Sequence, residues 1–86
     1  MAKKVKRYEE LKELKGKLRS EGYTYRKLSE ATGISVDAIN NKLNGYSVLD
    51  GDDVELIAKA LNIEADEIIL YFFPKMLRNV AERIHI

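Results

Sequence analysis

The stretch EGYTYRKLSEATGISVDAINNKLNG, from Glu21 to Gly45, decides the fold of this chain of 86 residues. Two residues in it, Thr24 and Ser35, are of the type that caps helices, and each precedes a short segment with apolar residues at helical spacing. Thr24 predicts a helix from Tyr25 to about Thr32, which Gly33 ends. The residues that this helix is expected to bury are Leu28 and Ala31.

A second helix of this stretch, helix three of the chain, is predicted from Val36 to Gly45, directly after the tight turn TGIS. Ser35 caps its start, and Ile34 and Ile39 have the spacing of a hydrophobic staple. Its narrow apolar stripe consists of Val36, Ile39 and Leu43. Two short helices joined by such a turn form a helix-turn-helix pattern, in which each helix is stable only when it packs on its neighbours.

The second helix also carries an unusual polar face. Asp37, Asn40, Asn41 and Asn44 share an arc of roughly 100°, so the three amides are expected to point outward together. Asparagine is a poor helix former, and a merely solvated face would favour Lys, Glu or Gln. A short amide is useful where it offers a donor and an acceptor at once, as to the N6 and N7 edge of adenine. The alternative is that Asn44, beside Gly45, only ends the helix.

Apolar residues at helical spacing predict further helices on both sides of this stretch. Helix one runs from about residue 8 to residue 22, helix four from residue 51 to about 61, and helix five from near residue 65 to the proline at 74. Helix four is expected to bury Val54, Ile57, Ala58 and Leu61. The apolar residues that mark helices one and five are Leu11, Leu14, Leu18, Ile68, Ile69 and Phe72. No strand is predicted. We therefore expect an all-α fold of five to six helices, with helices two and three as the helix-turn-helix.

Composition limits the classes of protein that this chain can be. Its length fits one domain with one modest core. It has no cysteine, which excludes disulfides and thiolate metal sites and fits a reducing compartment. The longest apolar run, IILYFF at 68–73, is too short to span a membrane. We expect a cytoplasmic protein without a membrane partner.

The charge of the chain is unevenly distributed. The net charge is +1, but residues 1–47 carry eleven Lys or Arg against six Asp or Glu, and residues 48–86 carry four against eight. A basic front half is a hint of a surface that binds a polyanion such as nucleic acid. Solvated helix faces also carry many charges, so the hint is weak alone.

The residues required for catalysis or metal binding are missing from the pattern. His85 is the only histidine and lies one residue from the end of the sequence. The acidic cluster DGDDVE at 50–55 places Leu61 where a calcium loop needs a bidentate glutamate, so helix capping explains the cluster better. No glycine-rich phosphate loop follows a strand. We expect no enzyme activity, no metal or other cofactor and no small-molecule substrate.

The quoted stretch, followed by VELIAKALNI at 54–63, resembles the XRE-type helix-turn-helix family of phage repressor and Cro-like proteins. The matching positions are Leu28, Ala31, Gly33, Ile34, Ile39, Leu43, Asn44, Gly45, Ile57, Ala58 and Leu61. The ending DEIILYFFP also looks like small phage members of the family. The resemblance covers residues 11–73 and implies a lambda-repressor-like fold and double-stranded DNA as the partner.

Position by position, the resemblance implies that helix three enters the major groove. The residues nearest the bases would be Val36, Asp37, Asn40 and Asn41. Those near phosphates would be Tyr25, Arg26, Lys27, Lys42, Asn44, Tyr46 and Ser47. Tyr25 departs from the family, which often has a glutamine there, although its hydroxyl can still donate to a phosphate. Asp37 either stabilises the helix dipole or accepts a hydrogen bond from cytosine N4.

The two ends of the chain flank a helix-turn-helix domain at residues 8–73. Residues 1–7 form a basic arm, in which Lys3, Lys4, Lys6 and Arg7 either contact phosphates or only solubilise the protein. Residues 74–86 form a helical extension that either dimerises or closes the core. The expected homodimer interface consists of Phe73, Met76, Leu77, Val80 and Ile84.

A different class of function also stays open. The same fold can serve as a helical adaptor that binds a protein, of the antirepressor or toxin-partner type, without specific DNA contacts.

Overall fold

The computed structural model describes residues 4–76 and 78. Its elements are α1 (Lys12–Ser20), α2 (Tyr25–Thr32), α3 (Val36–Leu43), α4 (Gly51–Ala60), a 3₁₀ turn (Ala65–Glu67) and α5 (Ile68–Phe72). No strand occurs in this part of the chain. The predicted all-α fold with a helix-turn-helix at α2 and α3 is confirmed. None of the helices in the described ranges is long and apolar enough to cross a membrane.

Side-chain caps fix the starts of the three central helices. The Thr24 hydroxyl accepts a hydrogen bond from Lys27 N at 3.0 Å, and the Ser35 hydroxyl accepts one from Ala38 N at 3.1 Å. Asp50 accepts from Asp53 N at 2.8 Å in a capping box. These caps satisfy backbone N–H groups that would otherwise lack a partner at each helix start. The turn between α2 and α3 is held on both sides, because Gly33 N donates to Ser29 O at 2.8 Å at the end of α2 and Ser35 caps α3.

One hydrophobic core lies between the helices. Its fully buried side chains are Leu14, Leu28, Ile39, Leu43 and Ile57, which come from α1, α2, α3 and α4. Burial of a side chain of this size contributes about 1.5 to 3 kcal/mol to stability. Because Ile39 and Leu43 both lie on α3, the core fixes the rotation of α3 about its axis. The face of α3 opposite Ile39 and Leu43 is therefore held outward.

Two sequence predictions about α1 and α2 were wrong. Helix α1 begins at Lys12 and not near Tyr8, because the N–H groups of Arg7, Tyr8 and Leu11 donate to carbonyls at the end of α3. Ala31 is exposed, because the inward face of α2 is formed by Tyr25, Leu28, Ser29 and Thr32, and Ala31 lies roughly 100° around the helix from the middle of that face.

Candidate nucleic-acid interface

The exposed face of α3 contains the four residues that were expected to contact bases. Val36 is 42% exposed and Asp37 is exposed, whereas Asn40 and Asn41 are half-buried. Val36 departs from its predicted place in the apolar stripe because the first turn of α3 projects beyond the core. The protruding end of α3 therefore offers a methyl-bearing side chain and a carboxylate, with two amides farther along.

A chain of hydrogen bonds fixes the amide of Asn40. The Lys15 ammonium, which can only donate, bonds to Asn44 Oδ1 and also lies 3.3 Å from Glu10. Asn44 must then present its Nδ2 group to α3, where it donates to the Asn40 backbone oxygen at 2.8 Å and to Asn40 Oδ1 at 2.9 Å. The expectation that all three amides point outward was wrong for Asn44, because Asn44 bridges α1 and α3.

The amide of Asn41 is fixed by a different lysine. Lys4 Nζ donates to Asn41 Oδ1 at 2.8 Å, so the side-chain oxygen faces the N-terminal arm. The asparagine amides at 40 and 41 therefore share one arrangement: the side-chain oxygen accepts a hydrogen bond from another side chain of the protein. Within residues 4–76 and 78, neither Nδ2 group donates to a protein acceptor. This face of α3 presents amide donors.

The N-terminal arm is docked against the end of α3. Arg7 N and Tyr8 N donate to Gly45 O at 2.9 and 3.0 Å. Lys4 Nζ and Lys6 Nζ lie 5.4 and 5.9 Å from the centre of the Tyr46 ring, within the range of cation–π attraction. Lys6 also pairs with Glu10, whose pKa is lowered by hydrogen bonds from Lys6 and then from Lys15. Lys3 lies outside the described residues.

The residues expected at phosphates on α2 lie at its first turn. Arg26 and Lys27 are exposed, and Lys27 Nζ lies 5.1 Å from the centre of the Tyr23 ring. Tyr25 is half-buried and packs on the core. Tyr46 and Ser47 are half-buried in the loop that follows α3. Groups able to donate to phosphate oxygens therefore lie at the start of α2, which packs on α3, and in the loop that follows α3.

A comparison with family models matches residues 14–68, more than half of the chain, to a model described as helix-turn-helix. The chain belongs to the XRE-type helix-turn-helix family. The resemblance noted in the sequence is thus confirmed, and membership supports a DNA-binding transcription regulator. Searches of curated proteins and of solved structures found no match.

One ion pair in this helix-turn-helix domain ties α3 to α4. Lys42 Nζ bonds to Asp53 Oδ2, and the Lys42 side chain is 20% exposed. Burial of the Asp53 carboxyl raises its pKa, but hydrogen bonds from Lys42 and from the Asp50 backbone lower it by more, so the pKa lies below its ordinary value. The Lys42 charge that was expected at a phosphate is therefore already paired.

Sequence reasoning missed Lys15 and Asp53 as residues that position α3. Each pairs with a residue 29 or 11 positions away, so neither pair shows a local spacing signal.

The expected dimer residues are described only in part. Phe73 is 37% exposed and Met76 is 50% exposed. Both line a cavity of about 450 Å³ between the N-terminal segment and the end of the helix-turn-helix domain. Leu77, Val80 and Ile84 lie outside the described residues. The apolar surface at Phe73 and Met76 has no covering partner within the residues that the structure describes.

Proposed function

We propose that the protein is a sequence-specific transcription regulator of the phage or prophage repressor and Cro-like type, which inserts α3 into the major groove of DNA as a dimer. One observation carries the proposal: the hydrogen-bonding face of α3 is held outward by the buried side chains of Ile39 and Leu43. A helix that is rotationally fixed in this way can place short side chains against base edges.

The fixed amides indicate which bases the regulator reads. A bidentate contact with adenine uses an amide oxygen and an amide N–H on the same base edge. The oxygens of Asn40 and Asn41 already accept from Asn44 and Lys4 and each keep one lone pair, whereas their N–H groups donate to no acceptor within the described residues. Amide donors match the O6 and N7 acceptors of guanine. The Asp37 carboxylate matches the N4 donor of cytosine. The proposed half-site therefore contains G·C pairs opposite α3.

Residues on both sides of α3 would position it on the backbone. Arg26 and Lys27, with the Tyr25 hydroxyl, are proposed to contact one phosphate strand, and Tyr46 and Ser47 the other. Lys42 and Asn44 are proposed to act through the position of α3, because both bond within the protein.

The dimer would use the apolar surface at Phe73 and Met76. A twofold axis there could set two recognition helices about 34 Å apart on one face of B-form DNA. Sedimentation of the free protein and of its DNA complex measures the stoichiometry, and Phe73→Asp is expected to shift both toward the monomer.

Selection of bound fragments from a random DNA library at physiological salt tests the proposal. Enrichment of a twofold-symmetric site with G·C pairs in each half is expected. Asn40→Ala should weaken binding to the selected duplex by about 1 to 3 kcal/mol and binding to a scrambled duplex much less. Glu55→Ala, on an exposed face of α4, is the matched control. A library from which nothing is enriched would refute a sequence-specific regulator.

The adaptor function has one observation in its favour, the exposed apolar residues Phe73 and Met76 beside a cavity. An adaptor should bind its protein partner less tightly after Phe73→Asp, and it should not respond to Asn40→Ala. A response of DNA binding to Asn40→Ala separates the two functions.

A further inference from the structure

A basic cleft lies beside the reading face of α3. It is lined by Lys4, Val5, Arg7, Asn41, Tyr46 and Ser47 and has a volume of about 250 Å³. We call it the arm cleft, because the N-terminal arm forms one wall and the loop after α3 forms the other. Its lining contains two cations and no carboxylate.

The arm cleft is preformed by backbone contacts. Arg7 N and Tyr8 N both donate to Gly45 O, and Tyr46 N donates to Asn41 O at 2.8 Å. The arm can approach this closely only because residue 45 is a glycine. A side chain at Gly45 would overlap the Tyr8 carbonyl. The two walls are therefore held at a fixed separation before any ligand binds.

The groups in the arm cleft are suited to an anion. The Arg7 guanidinium has no carboxylate partner among the described residues. The Lys4 ammonium makes one hydrogen bond, to Asn41, and an ammonium has three donors. It can therefore keep the Asn41 bond and still donate to a ligand. The Ser47 and Tyr46 hydroxyls add neutral donors.

We propose that the arm cleft binds a phosphodiester of the DNA backbone next to the bases that α3 reads, and that Lys4 joins this phosphate to the Asn41 amide. The inference rests on the proposed DNA-binding function and extends it. One residue then has two effects: Lys4 holds the backbone, and it orients a side chain that contacts a base. Arg7 has only the first effect, because it does not bond to Asn41.

This difference gives the experiment. Fluorescence anisotropy would measure binding of the full chain and its Lys4→Gln and Arg7→Gln variants to the selected duplex over a range of salt. A second duplex would differ from the selected one at a single base pair. This is the pair whose substitution weakens binding of the wild-type protein but not binding of the Asn41→Ala variant. Lys59→Gln, which removes an exposed charge at the other end of α4, is the charge-matched control.

Both cleft variants are expected to weaken binding to every duplex and to reduce the slope of log affinity against log salt by about one. Lys59→Gln should leave the slope unchanged. Lys4→Gln should also reduce the discrimination between the two duplexes, whereas Arg7→Gln should preserve it. If the wild-type protein binds DNA and both cleft variants keep the wild-type slope of log affinity against log salt, this inference is wrong and the proposed function is unaffected. Wild-type protein that binds no duplex would overturn the proposed function itself.

Discussion

Replacement of Gly45 by alanine tests whether the arm is held by the end of α3. Gly45 has a φ of +89°, and it lies against the Tyr8 carbonyl. Gly22 has a similar φ of +73°, but a side chain there would meet no atom within 4 Å. Gly22→Ala is therefore destabilised only by the left-handed backbone. Gly45→Ala is destabilised by the left-handed backbone and also by the overlap of its side chain with the Tyr8 carbonyl.

The two costs can be worked out separately. An alanine in the left-handed region loses about 1 to 2 kcal/mol, which is the whole effect expected for Gly22→Ala. Displacing the arm from Gly45 also breaks the hydrogen bonds from Arg7 N and Tyr8 N, each of which contributes about 0.5 to 1.5 kcal/mol. Gly45→Ala should thus lower the free energy of unfolding by about 2 to 5 kcal/mol. A domain of this length has roughly 4 to 13 kcal/mol in total, which exceeds the whole loss expected for Gly22→Ala and most of the range expected for Gly45→Ala.

Urea unfolding followed by circular dichroism measures both losses. We expect the loss for Gly45→Ala to exceed the loss for Gly22→Ala by at least about 1 kcal/mol. The same variant should weaken DNA binding on all sequences, because the arm cleft loses one wall. Equal losses in the two variants would show that the arm gains nothing from its contact with Gly45, and the reasoning about the cleft would then be wrong.

Two further predictions concern α3 and its ion pair. Ile39→Ala should lower the free energy of unfolding by about 2 to 5 kcal/mol, because it leaves a cavity in the core. Val36→Ala should change the free energy of unfolding by less than about 0.5 kcal/mol but weaken binding to the selected duplex. Chemical unfolding measures the stabilities, and fluorescence anisotropy measures the binding. The folded pKa of Asp53 lies below its ordinary value, so its charge stabilises the fold above the unfolded pKa of about 4, and that stability is lost as the pH falls through the folded pKa. Urea unfolding between pH 2 and 7 should show wild type more stable than Asp53→Asn at neutral pH, with the difference shrinking below about pH 4, and a difference that does not depend on pH would contradict the role of the carboxylate.

The sequence predicted those parts of the fold that depend on neighbours along the chain. The caps at Thr24, Ser35 and Asp50 lie where their spacing indicates, because each bonds to an N–H three residues away. The face of α3 could be predicted for the same reason, since helical rotation is a local property. Val36 and Ala31 were misjudged because their burial depends on which neighbours cover each end of a helix.

The orientation of side chains in the candidate site could not be predicted in the same way. The Lys4 contact with Asn41 spans 37 positions and the Lys15 contact with Asn44 spans 29. Both lysines could pair with many carboxylates or with solvent in an unfolded chain. Only the packed helices bring them to these particular amides.

The contact between Lys15 and Asn44 has a consequence for protein engineering. Swapping only the eight residues of α3 into a related scaffold would transfer the asparagine at 40 without the lysine on α1 that settles which way its amide faces. The recipient could then prefer other DNA sequences although the grafted residues were identical. A graft that keeps the amide orientations would have to include Lys15, Asn44 and Lys4 in addition to α3, and these residues come from three separate parts of the chain.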